Sequence, residues 1–264
     1  MESVDLILRP RWMLPMEPGG TVLEQHALIV DQGRIRALLP DPEVEQRFQA
    51  ETRIDLPSHV LLPGFVNAHT HAAMSLLRGL ADDLPLMEWL QQHIWPAEQR
   101  WVNEEFVHDG SLLAIAEMLR SGTTCFNDMY FFPEVTARVA SAVGMRAAIG
   151  LILIDFPTAY ARDPGEYLHR ATQTHDAWRN DPLVHLLFAP HAPYSVSDEP
   201  LRQLRTLADE LGLPIHMHVH ETVEEIESSL QRHGCRPLER LERLGLLRWL
   251  RWGQWLARLR GGAS

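Results

Sequence analysis

Hydrophobic positions divide the 264-residue chain into a first part of short strands and a second part in which strands and helices alternate. Up to about residue 63, apolar runs are separated by turn residues, as in "HALIVDQGRIRALLP", where Asp31, Gln32 and Gly33 predict a hairpin. Three or four short antiparallel strands of this kind need a partner sheet or a larger domain to cover their apolar face.

From residue 61 the pattern changes to alternating strands and helices. Five strands are predicted by the runs "LLPGFVNAHTH", "TTCFNDM", "MRAAIGLILI", "HLLFAPHAPY" and "PIHMHVHE". Residues 103–122 predict a helix with Asn103 as its N-cap and Gly122 as its stop, and residues 197–211 predict a helix that Gly212 ends. Repeated βα units predict a parallel sheet with helices outside and with its chemistry at the carboxyl ends of the strands.

Composition and charge exclude several classes of protein. The net charge is −11 and every basic residue is an arginine, which argues against nucleic acid or an anionic membrane as a partner. The longest apolar stretch, residues 147–154, is far shorter than the roughly 20 residues of a membrane span. Cys125 and Cys235 have no disulfide or metal-site spacing, and the N-terminus lacks a signal-peptide pattern. We therefore expect a cytoplasmic protein.

Residues of catalytic types cluster at the predicted strand ends. His69 and His71 close the first of the five strands, His191 the fourth, and His218 and Glu221 the fifth. Because side chains alternate along a strand, His69 and His71 face the same side and can bind one cation. Imidazole suits Zn²⁺ or Fe²⁺ at neutral pH. The polar residues at the other two strand ends are Asn127, Asp128 and Asp155.

Several of these residues also have an ordinary structural interpretation. His216 and His220 flank His218 at strand spacing, so alternation leaves the choice of ligand among the three open. Glu98 lies among polar residues and, without further information, is an exposed helical acid. His191 stands close to two prolines and can equally stiffen a turn.

Three segments carry a family resemblance: "PGFVNAHTHAAMSLLRGLADDLPLMEWL", "APHAPYS" and "HMHVHET". They closely resemble the amidohydrolase superfamily and, within it, the deaminases of 5′-methylthioadenosine and S-adenosylhomocysteine. The resemblance runs from about residue 28 to about residue 247. It implies an α/β fold in which residues 61–247 form part of a metal-dependent (β/α)₈ TIM barrel, with about five of the eight strands. Residues 1–60 would form the N-terminal part of a composite β-sandwich.

The resemblance also implies roles for individual residues. His69, His71 and His218 look like the ligands of one Zn²⁺ per subunit, with Fe²⁺ as the alternative. Glu221 resembles the proton shuttle, which also contacts the substrate, and the positions that hold the nucleoside are matched by Glu98 and His191. The implied reaction is hydrolytic deamination of adenine nucleosides, 5′-methylthioadenosine and S-adenosylhomocysteine, to inosine analogues and ammonia. The implied partner is this small-molecule nucleoside, and assembly into homo-oligomers stays open.

The C-terminal part of the chain departs from the family pattern. The family has a His after a sixth strand and an Asp in a "TDG"-like segment after an eighth, and this sequence matches neither. Residues 248–264 instead read "RWLRWGQWLARLRGGAS", an atypical tail. One interpretation is a basic amphipathic helix for a membrane surface or a partner groove. We favour the other, a shifted reading frame or shortened gene, because the resemblance stops abruptly in mid-barrel.

Two alternative functions remain from the sequence. A sister amidohydrolase, such as a guanine or cytosine deaminase or a chlorotriazine hydrolase, would share the metal site and differ in its pocket. The other alternative is a catalytically inactive, truncated chain, which the missing sixth-strand His and eighth-strand Asp suggest. We expect the 264 residues alone to be poorly soluble, to bind Zn²⁺ weakly if at all and to show no measurable deaminase activity. The reason is that barrel geometry depends on all eight strands, so that metal binding would first have to order the sheet.

Overall fold

The computed structural model of the chain describes residues 1–247, which divide into two compact units after Gly64. The predicted tail, residues 248–264, lies outside the described residues. The architecture is α/β, with an N-terminal sheet and part of a TIM barrel, as the sequence predicted. No helix in residues 1–247 is both long and apolar enough to cross a membrane.

The first unit is a five-stranded sheet. Its elements are β1 (Glu2–Met13), β2 (Leu23–Glu24), β3 (His26–Asp31), β4 (Arg34–Pro40), α1 (Asp41–Arg47) and β5 (Phe48–Leu61). The predicted hairpin joins β3 to β4, and Gln32 and Gly33 at its turn have φ values of 49° and 70°. Antiparallel strands were expected, but β5 pairs in parallel with β1. The crossover through α1 returns the chain to the sheet in the direction of β1. That the first unit forms part of a composite β-sandwich stays a prediction.

The second unit is built on a parallel sheet of four strands in the order β6, β7, β8, β9. These strands are β6 (Phe65–Thr70), β7 (Thr123–Met129), β8 (Arg146–Leu153) and β9 (Val184–Pro190). A 3₁₀ helix, Ala72–Leu77, follows β6, and a π-helical turn, Leu90–Ile94, joins the next two helices. The α-helices are α2 (Leu86–Trp89), α3 (Trp95–Trp101), α4 (Glu104–Arg120), α5 (Pro133–Ala142), α6 (Pro164–Trp178), α7 (Asp198–Leu211), α8 (Val223–His233) and α9 (Pro237–Arg243).

The ends of α4 and α7 follow the predicted signals. The Asn103 side chain caps α4 by accepting a 2.9 Å hydrogen bond from the amide of Phe106. Gly122 and Gly212 have φ values of 86° and 68°, the left-handed conformation that ends a helix. The expected fifth strand is shorter than predicted, since only Ile215 forms a bridge, to Phe188 of β9. Within residues 1–247, β9 therefore has a full strand partner, β8, on one side and only the Ile215 bridge on the other.

A glycine brings α4 against the 3₁₀ helix that follows His71. A Cβ atom on Gly110 would lie 2.5 Å from the carbonyl oxygen of Ala73, which belongs to the backbone and cannot rotate away. We expect Gly110→Ala to lower the free energy of unfolding by about 1–3 kcal/mol, as overpacking does. Urea denaturation measures this change. Gly19→Ala is the control, since nothing lies within 4 Å of its Cβ position, and an equal loss in both variants would contradict the contact.

Candidate metal centre

Three imidazoles meet at the carboxyl end of the parallel sheet. His69 lies on β6, His71 directly follows that strand, and His218 lies beyond the Ile215 bridge. One ring nitrogen of each lies within 4.8 Å of the others. The Nε2 atoms of His218 and His69 are 3.1 Å apart. Two nitrogens bound at 2.0–2.1 Å to one tetrahedral ion would lie roughly 3.3 Å apart, so the donor set fits a single metal ion.

Backbone carbonyls fix the orientation of two of these rings. The Nδ1 atom of His71 donates to the carbonyl oxygen of Met129 at 2.6 Å, and Nδ1 of His218 donates to that of His191 at 2.9 Å. A carbonyl oxygen can only accept, so each Nδ1 carries the proton and each Nε2 keeps its lone pair. Metal-binding histidines are held in this way by a hydrogen bond at the second nitrogen.

The protonation state of the rings favours metal binding as well. Burial, together with the nearby His71 and His218, lowers the pKa of His69 to about 4. Burial likewise lowers the pKa of His71 to about 4. Because a desolvated imidazole loses its proton more readily, both rings are neutral at pH 7. The neutral ring is the form that coordinates a metal, so protons compete little at neutral pH.

The two flanking histidines take different places. His216 approaches the cluster from the side, with Nε2 2.8 Å from Nδ1 of His69. His220 has a φ of 61°, which ends the extended path, and its Nε2 accepts from the amide of Leu238 at 3.4 Å. The structure therefore groups His218 with the first two histidines, a choice that strand alternation left open.

Glu221 and His191 line one cavity together with His71 and His218. Glu221 is exposed, and the hydroxyl of Tyr194 donates to its Oε2 atom at 3.5 Å. Nδ1 of His191 lies 2.8 Å from the hydroxyl oxygen of Ser195. Burial lowers the pKa of His191 to about 3, so that ring is neutral and available for hydrogen bonding.

The same cavity is lined by Glu98, on α3. The hydroxyl of Tyr130 donates to Glu98 Oε1 at 2.8 Å, and burial raises the pKa of Glu98 to about 7. The interpretation of Glu98 as an exposed helical acid is therefore wrong. Indole and phenyl rings of Trp89, Trp95 and Phe156 supply apolar walls.

Two residues that carry polar contacts had no assigned role in the sequence. Tyr130 directly follows β7, and its position one residue beyond a strand end was the available signal. Asp128 is 2% exposed and contacts the backbone after His71. Asp155, in contrast, holds the residue that precedes α7, since its Oδ2 atom accepts from the amide of Ser197 at 2.8 Å.

The comparisons with known proteins agree with this geometry. The family model described as "Amidohydrolase family" matches residues 60–255, and the chain belongs to this family. A protein of Saccharophagus degradans named 5-methylthioadenosine/S-adenosylhomocysteine deaminase is 52% identical over 237 residues, which cover 90% of this chain and 53% of that protein. The chain thus spans about half the length of the curated relatives it matches.

Solved structures give the same picture. An adenosine deaminase from Xanthomonas campestris with bound zinc is 52% identical, with a TM-score of 0.91, and the match covers 93% of this chain and 56% of that one. A triazine hydrolase from Arthrobacter aurescens, at 17% identity and a TM-score of 0.81, covers 91% of this chain and 58% of its own and shares the fold. Family membership and the three-histidine cluster together support a metal cofactor.

Proposed function

We propose that this chain provides the metal-binding half of a zinc-dependent hydrolytic deaminase of adenine nucleosides, with 5′-methylthioadenosine and S-adenosylhomocysteine as the substrates. The observation that carries the proposal is the cavity in which two of the clustered histidines meet Glu221, Glu98 and His191. The names of the relatives supply the substrate class. A reducing compartment such as the cytoplasm suits the two buried, unpaired cysteines, Cys125 and Cys235.

In this proposal His69, His71 and His218 hold the ion through their Nε2 atoms. When bound, the ion supplies Lewis-acid activation of the attacking water. Glu221 accepts the proton that this water loses and delivers it to a ring nitrogen of the purine, a transfer suited to a carboxylate at the cavity wall. Glu98 accepts hydrogen bonds from the sugar hydroxyls, and His191 holds the nucleoside by a neutral hydrogen bond.

The test restores the length of the relatives. Residues 1–247 of this chain are joined to the C-terminal part of the Saccharophagus degradans relative. Ammonia release is followed with 5′-methylthioadenosine, S-adenosylhomocysteine and guanine, and chloride release with a chlorotriazine. We expect release from the two adenine nucleosides, dependent on added Zn²⁺. Turnover of guanine or the chlorotriazine alone would assign the site to a sister activity. Metal-independent release would contradict the proposal.

Substrate binding by this chimera is expected to depend on pH through Glu98. With a pKa of about 7, Glu98 is protonated below that pH and loses acceptor capacity for sugar hydroxyls, so nucleoside affinity falls as pH drops through 7. The Tyr130 hydroxyl lowers this pKa, so in Tyr130→Phe the loss of nucleoside affinity at acid pH, the acid limb of the profile, should begin at higher pH. Calorimetric titration with nucleoside at a series of pH values around 7 measures this dependence of affinity on pH.

The control for this pH dependence is Tyr160→Phe. It removes another buried phenol, one that donates to Glu134 outside the cavity. Its acid limb should coincide with that of the unaltered chimera. A limb that stays in place in Tyr130→Phe would show that Glu98 does not govern binding.

A further inference from the structure

The carboxylate of Asp128 holds the backbone on both sides of His71. Its Oδ1 atom accepts from the hydroxyl of Thr70 at 2.8 Å and from the amide of Ala72 at 2.7 Å. Asp128 lies on β7 and is 2% exposed. The residues immediately before and after His71 are therefore bound to one buried acceptor on the neighbouring strand.

A carboxylate so deeply buried persists as an acceptor only when donors surround it. Thr136 and the amide of Met129 lie close enough to favour the charged form of this carboxyl group as well. The carboxylate lies on β7 and is shielded from solvent, so Thr70 and Ala72 donate to an acceptor whose position the strand fixes. Hydrogen bonds to a charged group are shorter and roughly twice as strong as neutral ones.

The strand ladder does not fix this part of β6. The pairing of β6 with β7 is regular at Asn67 and Phe126, shifts register between Asn67 and Thr70, and resumes at Asp128. His69 lies within the interrupted stretch. Where ladder bonds are missing, side chains supply the constraint: the side-chain amide of Asn127 donates to the carbonyl of Ala68 at 3.0 Å, and Asp128 accepts from Thr70 where the pairing resumes.

β7 also holds the ring of His71. The carbonyl of Met129, the residue after Asp128, accepts the proton of His71 Nδ1 at 2.6 Å. Consecutive residues of one strand thus fix the backbone around His71 and the orientation of its ring. Small errors in either would move Nε2 away from the other two histidines, which a metal site tolerates poorly.

We propose that Asp128 is a positioning residue for the metal centre, acting on His71 through Thr70 and Ala72 without binding the ion. The proposal rests on the metal-binding part of the proposed function. Asp128→Asn preserves shape but removes the negative charge, so the hydrogen bonds from Thr70 and Ala72 lose their charge-assisted strength. We expect it to weaken Zn²⁺ affinity about 10–100-fold, as loss of a supporting hydrogen bond does.

The experiment measures Zn²⁺ affinity of the 264-residue chain by competition with a chelating dye, and the visible spectrum of the Co²⁺ form, whose bands report coordination. Asp181→Asn is the matched control, because Asp181 accepts from the amides of Leu183 and Val184 and from the hydroxyl of Ser141, before β9 begins. Urea denaturation of each variant separates a loss of folding from a loss of the site. The control should keep its affinity and its Co²⁺ spectrum.

Two further variants keep the test decisive if Asp128→Asn does not fold. Thr70→Val removes the hydroxyl that reaches Asp128 and should weaken Zn²⁺ binding, while Thr70→Ser retains it and should restore binding. Unchanged affinity and spectrum in folded Asp128→Asn or Thr70→Val would overturn the proposal. If the unaltered chain alone binds Zn²⁺ too weakly to measure, the same variants are compared in the chimera, where unchanged affinity would overturn the proposal. Failure of the chimera to release ammonia, with the Asp128 effect intact, would refute the deaminase proposal alone.

Discussion

Replacing Glu221 with Gln is expected to reduce ammonia release by the chimera about 10²–10⁴-fold, the usual contribution of a positioned acid or base. Gln keeps the shape of the side chain but cannot accept the proton that the attacking water loses. Glu221 lies outside the three-histidine cluster, so Zn²⁺ content should stay unchanged. Steady-state kinetics with 5′-methylthioadenosine, alongside metal analysis, measures both quantities.

The control is Glu224→Gln, an exposed glutamate three residues further along the chain. It makes the same chemical change at the start of α8 and should leave turnover unaltered. Equal losses in the two variants would indicate an electrostatic effect of the helix terminus. A Glu221→Gln chimera with full turnover would remove Glu221 from the mechanism.

Replacing His218 with Ala is expected to lower the Zn²⁺ affinity of the chimera by more than about a hundredfold, since losing a supporting residue already costs 10–100-fold. His218 places Nε2 3.1 Å from Nε2 of His69. His220→Ala removes a histidine two residues away that turns from the cluster, and it should change the affinity less than about twofold. Competition titration with a chelating dye measures both affinities.

This pair of variants also decides between His218 and His220 of the "HMHVHE" run. A large loss in His220→Ala with none in His218→Ala would reverse the assignment. The expectation that the chain alone binds Zn²⁺ weakly concerns the absolute affinity and stays a prediction. The comparison needs only the ratio between variants.

Much of the fold could be predicted because its signals are local. Asn103, Gly122 and Gly212 mark helix ends through backbone chemistry that neighbouring residues alone determine. The fifth strand was overestimated, since strand length depends on the partners at the sheet edge. α6 was not predicted, although Asp163 caps it and Pro164 opens it, because its apolar positions are few.

In the candidate site, too, some residues could be predicted from local signals and others could not. His69 and His71 could be paired from alternation along one strand, a local rule. The choice of His218 over His220 depends on a positive φ that no spacing reveals. Glu98 was misread without the family because its burial comes from a cavity wall and from the distant Tyr130. Roles that depend on contacts between strands, such as that of Asp128, need the structure.

The most direct test of the metal centre is a crystal structure of the chimera grown with Zn²⁺, with anomalous data at the zinc edge. One anomalous peak is expected, bonded to Nε2 of His69, His71 and His218, with His71 Nδ1 still donating to the Met129 carbonyl. A peak at other residues, or one in which His216 replaces His218, would contradict the account.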